Sequence, residues 1–229
     1  MSKIKPNLEN MSASQLFKVI GETPYSVHQT LWKIFGDVSR VDRDFIYRTE
    51  YLPNEPIHLV VSGTPPSGRS NSWTIETKKY EPFLKNGMPF DFMLRANPTV
   101  TKKSSETGKY SRHDVVMDFK TGQKFRNIYG QEDPTKSQLV QDACYKWLEK
   151  RSLSNGFELV RTSVIADSYI QHKFYKSGTG KPIQISTVDF RGTLIVSDSN
   201  LFREALYKGI GPAKSFGCGL LMIRRCTSC

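Results

Sequence analysis

Two residues in one short segment could move protons, and a third ring stands beside them. Tyr25, His28 and Trp32 are spaced i, i+3 and i+7 in PYSVHQTLWKIF (residues 24–35). At 100° per residue they gather at one edge of a helix whose core stripe is Val27, Leu31, Ile34 and Phe35. An imidazole titrates near neutrality, so it can take a proton in one step and return it in another. A phenol one turn away can share that work. The same spacing also suits a boundary histidine beside a buried stripe, and residue chemistry alone leaves both readings open.

A second stretch could hold a phosphate. Residues 209–219, GIGPAKSFGCG, hold Gly209, Gly211, Gly217 and Gly219, with Lys214 for charge and Ser215 for a hydroxyl. Closely spaced glycines let backbone amides approach an anion. The run matches neither the GxxxxGK[ST] loop nor a dinucleotide fingerprint, because it follows a helix and precedes a strand. Nucleotide cofactors are therefore disfavoured. A tight helix-to-strand turn is the structural alternative. A third stretch, 170–191, reads as a hairpin with Lys173, Lys176, Lys181 and Arg191 around a glycine turn. It suits the groove of a structured RNA, or simply an exposed hairpin.

These candidates sit in a chain of 229 residues with 33 Lys and Arg against 22 Asp and Glu, a net charge of +11. A surplus of this size favours a polyanionic partner, nucleic acid first. With 38% hydrophobic residues the chain can bury a core, which excludes a disordered polyelectrolyte. No apolar run approaches the ~18 residues that span a bilayer. The N-terminus lacks a signal-peptide layout. A soluble cytoplasmic protein, without a membrane partner, is the expectation. Cys144, Cys218, Cys226 and Cys229 form no disulfide framework in a chain this long. Cys226 and Cys229 make a lone CxxC, and the four histidines show no paired spacing, so no metal site is expected.

The elements that must position the candidates follow from pattern. A weak strand is expected at 3–8. The helix at 24–35 has Thr23 to cap it, Pro24 in its first turn and Gly36 beyond its end. Strand-like runs cover 43–52, 57–63, 73–80 and 88–96. Residues 97–130 read as a basic connection with a short strand at 113–119. From Arg95 to residue 129 there are eight basic residues, Lys102 and Lys103 among them, against three acidic. They could track phosphates or merely solvate a linker. A helix follows at 134–151, then strands at 157–165, 168–176 and 181–195, a helix at 198–208 and a buried strand at 219–223. This is an α+β chain. The order fits two tandem ferredoxin-like (RRM-like) domains, antiparallel sheets with helices on one face, divided as 1–96, 97–130 and 131–229.

Three stretches together resemble the CasE family, the CRISPR-RNA processing endoribonuclease subunit of type I-E Cascade and a branch of the repeat-associated RAMP superfamily. They are YSVHQTLWKIF (25–35), FDFMLRANPTVTK (90–102) and GIGPAKSFGCGLL (209–221). The resemblance implies a metal-independent endoribonuclease with no small-molecule cofactor. His28 would be its principal catalytic residue and Tyr25 its assistant. It would cut at the 3′ base of a CRISPR repeat hairpin and leave a 2′,3′-cyclic phosphate and a 5′-hydroxyl. It would stay on the mature crRNA among the other Cascade subunits. The resemblance adds Lys33 as a basic residue near the RNA, although five positions on an ideal helix put it 140° from His28. The RNA-binding set is then Lys33, Arg95, Lys102, Lys103, Lys173, Lys176, Lys181, Gly211, Lys214 and Ser215. A non-catalytic subunit that only holds an RNA hairpin is the alternative.

Overall fold

The structure, a computed structural model, describes residues 1–20, 23–36, 44–53, 55–67, 71–105, 107–122, 134–175 and 182–226. Two antiparallel sheets organise it. The first is built from β1 (Ser2–Pro6), β2 (Phe45–Tyr51), β3 (Pro56–Ser62) and β4 (Trp73–Thr77), in spatial order β2-β3-β1-β4. Between β1 and β2 run the helices α1 (Ala13–Ile20) and α2 (Pro24–Ile34). The spatial order is that of a ferredoxin-like sheet.

The second sheet runs β11-β5-β10-β8, with β9 also paired to β10. Its strands are β5 (Pro89–Ala96), β8 (Phe157–Leu159), β9 (Ile165–Tyr175), β10 (Pro182–Val196) and β11 (Leu221–Arg225). Helix α4 (Lys136–Ser152) lies between β5 and β8, and α5 (Ser199–Lys208) between β10 and β11. The ferredoxin-like order thus recurs, with β5 as its first strand. That corrects one expectation. Strand 88–96 does not close the first unit but sits centrally in the second, bonded to β10 on one side and β11 on the other. Its alternating face, Phe90, Phe92 and Leu94, is buried beneath α4 and α5.

The basic segment after β5 is more structured than a connection. It forms a hairpin of β6 (Thr99–Lys103) and β7 (Tyr110–Asp114), followed by a helix, α3 (Val115–Thr121). A strand was expected at 113–119. Asp114 decides otherwise: its carboxylate accepts from the backbone N–H of Val116 and Met117, both at 2.9 Å, and so caps a helix. Val116 and Phe119, one turn apart, then face the core.

The two units meet through their open sheet faces. In β2 five consecutive residues, Phe45–Thr49, are buried. Phe45 and Tyr47 face α2, with Val27, Leu31 and Ile34. Ile46 faces the other way, packed with Val61 and with Leu220 from the approach to β11. A strand covered on both faces loses the polar alternation of a half-exposed one.

Candidate active site and basic grooves

Helix α2 forms as its sequence requires. Thr23 is extended, and its hydroxyl accepts from Ser26 N–H at 3.2 Å. Pro24 occupies the first turn, where its missing N–H costs nothing. Gly36 follows with φ 76°. Burial of Val27, Leu31 and Ile34 fixes the rotation of the helix. Tyr25 and His28 are consequently held half-buried at its edge. The His28 ring lies among aromatic rings, 5.8 Å from Trp32 and 6.1 Å from Phe45 between centroids. The Tyr25 hydroxyl oxygen accepts from Gln29 Nε2 at 3.2 Å. Lys33 is exposed at the far end of α2, in its last turn.

The glycine-rich run comes to this helix from 190 residues away in sequence. Lys214–Phe216 form a short 3₁₀ turn that packs against α2. Buried Tyr47 ties the two together, its hydroxyl donating to Ser215 O at 2.9 Å and Pro24 O at 3.2 Å. Lys214 and Ser215 therefore stand beside the helix that carries Tyr25 and His28. Gly211 has a different reason to be glycine. Its φ is +80°, and a Cβ there would sit 3.0 Å from the Trp147 ring. Its role is to let the loop close over an aromatic side chain.

Two basic grooves lie beside this loop. The larger, about 1070 Å³, runs between the β6–β7 hairpin, α3 and α4 and ends at Gly211 and Pro212. Five cations line it: Lys102, Arg112, Lys146, Lys150 and Arg151. Lys102 pairs with Asp118. Arg151 stacks on Trp147, 4.0 Å from the ring centre, and so presents a fixed guanidinium. The second groove, about 580 Å³, lies between the two hairpins, with Arg112, His113, His172 and Lys173 on its walls and Pro212 and Phe216 among its lining. His172 bonds Thr187 through Nε2 at 2.9 Å. Burial, then the nearby Arg95 charge, lowers its pKa and favours the neutral ring.

The sequence-derived residues thus separate. Tyr25 and His28 lie on α2, and Lys214 and Ser215 on the short turn packed against it. Lys102 and Gly211 line the larger groove, Lys103 lies exposed at the end of the same strand, and Lys173 stands on the other groove. Arg95 faces neither of these; it lines a smaller groove of about 380 Å³ with His172 and Phe216, where its guanidinium is bound to Asp189 and to the Thr49 carbonyl. Lys176 and Lys181, with the turn between them, lie outside the described residues, as does Cys229. Sequence reasoning missed Tyr47, Lys146, Lys150, Arg151 and His172, and met Arg112 only as one of the eight basic residues of the middle segment. Lys146 and Lys150 carried a readable signal, an i, i+4 basic pair off the apolar stripe of α4. Tyr47 carried none. Among the described residues, no group of three or more His, Cys, Asp or Glu is placed to hold a metal ion, and no helix is long and apolar enough to cross a membrane.

A profile of the family described as CRISPR associated protein matches residues 1–225. The chain belongs to that family. Within it, the chain is 32% identical to the CRISPR system Cascade subunit CasE of Escherichia coli K12 over 202 residues, covering 87% of this chain and 90% of the relative. It is 28% identical to the CRISPR-associated endoribonuclease Cse3 of Thermus thermophilus, covering 87% and 89%. Among solved structures it is similar to Cse3 bound to a 19-nucleotide RNA, with a TM-score of 0.68 at 26% identity over 98% of this chain and all of that one. It is also similar to Cas6e of Escherichia coli K-12, with a TM-score of 0.63 at 26% identity over 99% of this chain and all of that one. The α+β fold read from the sequence is the fold of these CRISPR-associated proteins.

Proposed function

We propose that this chain is a CRISPR RNA endoribonuclease. It cuts precursor RNA at the 3′ base of the repeat hairpin, and it stays on the crRNA as a Cascade subunit in the cytoplasm. One observation supports the reading above others: α2, which carries Tyr25 and His28, packs against the Lys214–Phe216 turn of the glycine-rich run, and Tyr47 ties the two together. A proton carrier and a cation thereby lie on neighbouring elements, beside grooves whose charge suits RNA.

The chemistry needs little more. The ribose 2′-oxygen attacks the adjacent phosphorus, a new P–O2′ bond forms, and the P–O5′ bond breaks. One group must remove the 2′-OH proton and one must protonate the departing 5′-oxygen. His28 can serve either step, since an imidazole can both accept and donate a proton. Tyr25 is the second candidate, because Gln29 donates to its oxygen and leaves the phenolic proton to give. A positioned acid or base contributes about 10²–10⁴-fold. Lys214 would offset the charge that gathers on the phosphorane oxygens. The five cations of the larger groove would hold the hairpin by its backbone. A-form RNA hides base edges in a deep, narrow major groove, so shape carries much of the recognition.

The deciding experiment incubates wild-type protein and His28→Ala with a repeat hairpin RNA in EDTA, with end-group analysis of both fragments. Wild-type protein is expected to yield a 2′,3′-cyclic phosphate and a 5′-hydroxyl; His28→Ala should bind and not cut. A 2′-deoxy substitution just upstream of the cut should block the reaction. Tight binding with no cut by the wild type would leave the non-catalytic subunit as the correct reading.

A further inference from the structure

Tyr47 lies in the first sheet beneath α2 and is 1% exposed. Its hydroxyl has one proton and two carbonyl acceptors, Ser215 O at 2.9 Å and Pro24 O at 3.2 Å. The two acceptors belong to the two halves of the candidate site. Ser215 follows Lys214 in the 3₁₀ turn. Pro24 opens α2, and in the i→i−4 pattern of a helix its carbonyl is the acceptor for the backbone N–H of His28. A single buried hydroxyl therefore joins the first turn beneath His28 to the turn that carries Lys214.

The surrounding packing makes that link stiff. Gly217, with φ +79°, brings the loop backbone down onto the phenol, and a Cβ there would sit 3.3 Å from the ring. On the other side the Phe216 ring meets Phe174 of β9 edge-on, 5.2 Å between centroids. The Lys214–Phe216 turn is thus clamped between β2 of the first unit and β9 of the second.

We propose that Tyr47 is a positioning residue for the cleavage, a latch whose hydroxyl sets Lys214 against the His28 helix. The proposal rests on the reading of His28 and Lys214 given above. Tyr47 is shielded from the RNA and acts through the two carbonyls. Tyr47→Phe keeps the ring under Gly217 and removes the hydroxyl. A misplacement of about 1 Å can cost about 10²-fold in rate, so a loss of up to that size is expected in single-turnover cleavage. Hairpin affinity should stay near wild type, and the melting temperature should fall by no more than a few degrees, as for the loss of one buried hydrogen bond. The loss should shrink in a Lys214→Ala background, because residues that act as a unit are not additive. p-Aminophenylalanine at position 47 keeps a donor at the same place and should restore most of the rate.

An unchanged rate in Tyr47→Phe overturns the proposal. So does an equal loss with and without Lys214, or a loss matched by a larger fall in melting temperature and weaker binding, each of which makes Tyr47 a packing residue. His28→Ala is run alongside. If that variant cuts like wild type, the site assignment has failed; if it is inactive while Tyr47→Phe is fully active, only the latch has failed.

Discussion

Asp189 holds Arg95 by both arms, its carboxylate oxygens accepting from Nε at 2.8 Å and from Nη2 at 2.7 Å. The third nitrogen of the guanidinium donates to Thr49 O at 2.9 Å. Arg95 and Asp189 sit opposite each other on β5 and β10 of the second sheet, whereas Thr49 belongs to β2 of the first. Arg48, 2% exposed and paired with Glu50, reaches the same carboxylate at 3.5 Å. The pair therefore fastens one unit to the other, and a charge that the sequence offers to RNA is spent inside the protein.

Removing Arg95 should accordingly cost stability and not RNA contacts. The pair is half-buried, so breaking it costs less than the loss of a fully buried one, about 2 kcal/mol. For a chain of this size that corresponds to a fall of roughly 6 °C in melting temperature. Arg95→Met is expected to show that fall in a thermal melt. Its salt dependence of hairpin binding should match wild type. A slope lower by about one unit, with unchanged stability, would instead put Arg95 on a phosphate.

The opposite pattern is expected for the larger groove. Lys146 and Lys150 are exposed on α4 and line it together with Lys102 and Arg112. Lys146→Ala and Lys150→Ala should leave the melting temperature unchanged. For every phosphate no longer neutralised, the slope of log K against log salt should fall by about 0.9. The weakening should be similar for hairpins of different sequence, since backbone contacts carry no base information. Titrations across a salt series test both statements.

What could be read from the sequence was local. The Thr23–Pro24–Gly36 pattern marks α2 because a cap, a first-turn proline and a terminal glycine each act within a few residues. The capping box at Ser12 and Gln15 was equally local but went unread. There Gln15 Oε1 accepts from Ser12 N–H at 2.9 Å and opens α1. Sheet membership was not legible. Nothing in FDFMLRA says which sheet it joins, because its partners, β10 and β11, lie about 100 and 130 residues away. The site divides in the same way. Tyr25 and His28 share a helix and so declare their proximity by spacing. Their approach to Lys214 and Ser215 depends on Tyr47, a residue that reads as an ordinary strand tyrosine.

Gly211 should be replaceable only at a cost. A residue with a Cβ in this left-handed conformation loses about 1–2 kcal/mol from backbone strain alone. At Gly211 the added carbon also meets the Trp147 ring at 3.0 Å. Gly87, with φ +83° and nothing within 4 Å of an added Cβ, is the control for the backbone share. Gly211→Ala should lower the urea midpoint further than Gly87→Ala does. Equal midpoints would mean that Trp147 yields freely.

His58 supplies a dependence on pH. It is 0% exposed in β3, its Nδ1 2.9 Å from Thr49 Oγ1 and its ring 5.7 Å from Trp73. Burial disfavours the charged ring and brings its pKa down to about 4 from an ordinary 6.5. The folded protein then binds this proton less readily than the unfolded chain. Stability from His58 is fully present above pH 6.5 and is lost as pH falls from there toward 4. Each unit of difference is worth about 1.4 kcal/mol, so a loss of about 2 kcal/mol is expected at pH 5. His58→Gln cannot take up the proton. Urea unfolding at pH 7 and pH 5 should show the wild type losing about 2 kcal/mol more than this variant between the two. An equal loss in both proteins would mean that other groups carry the acid sensitivity.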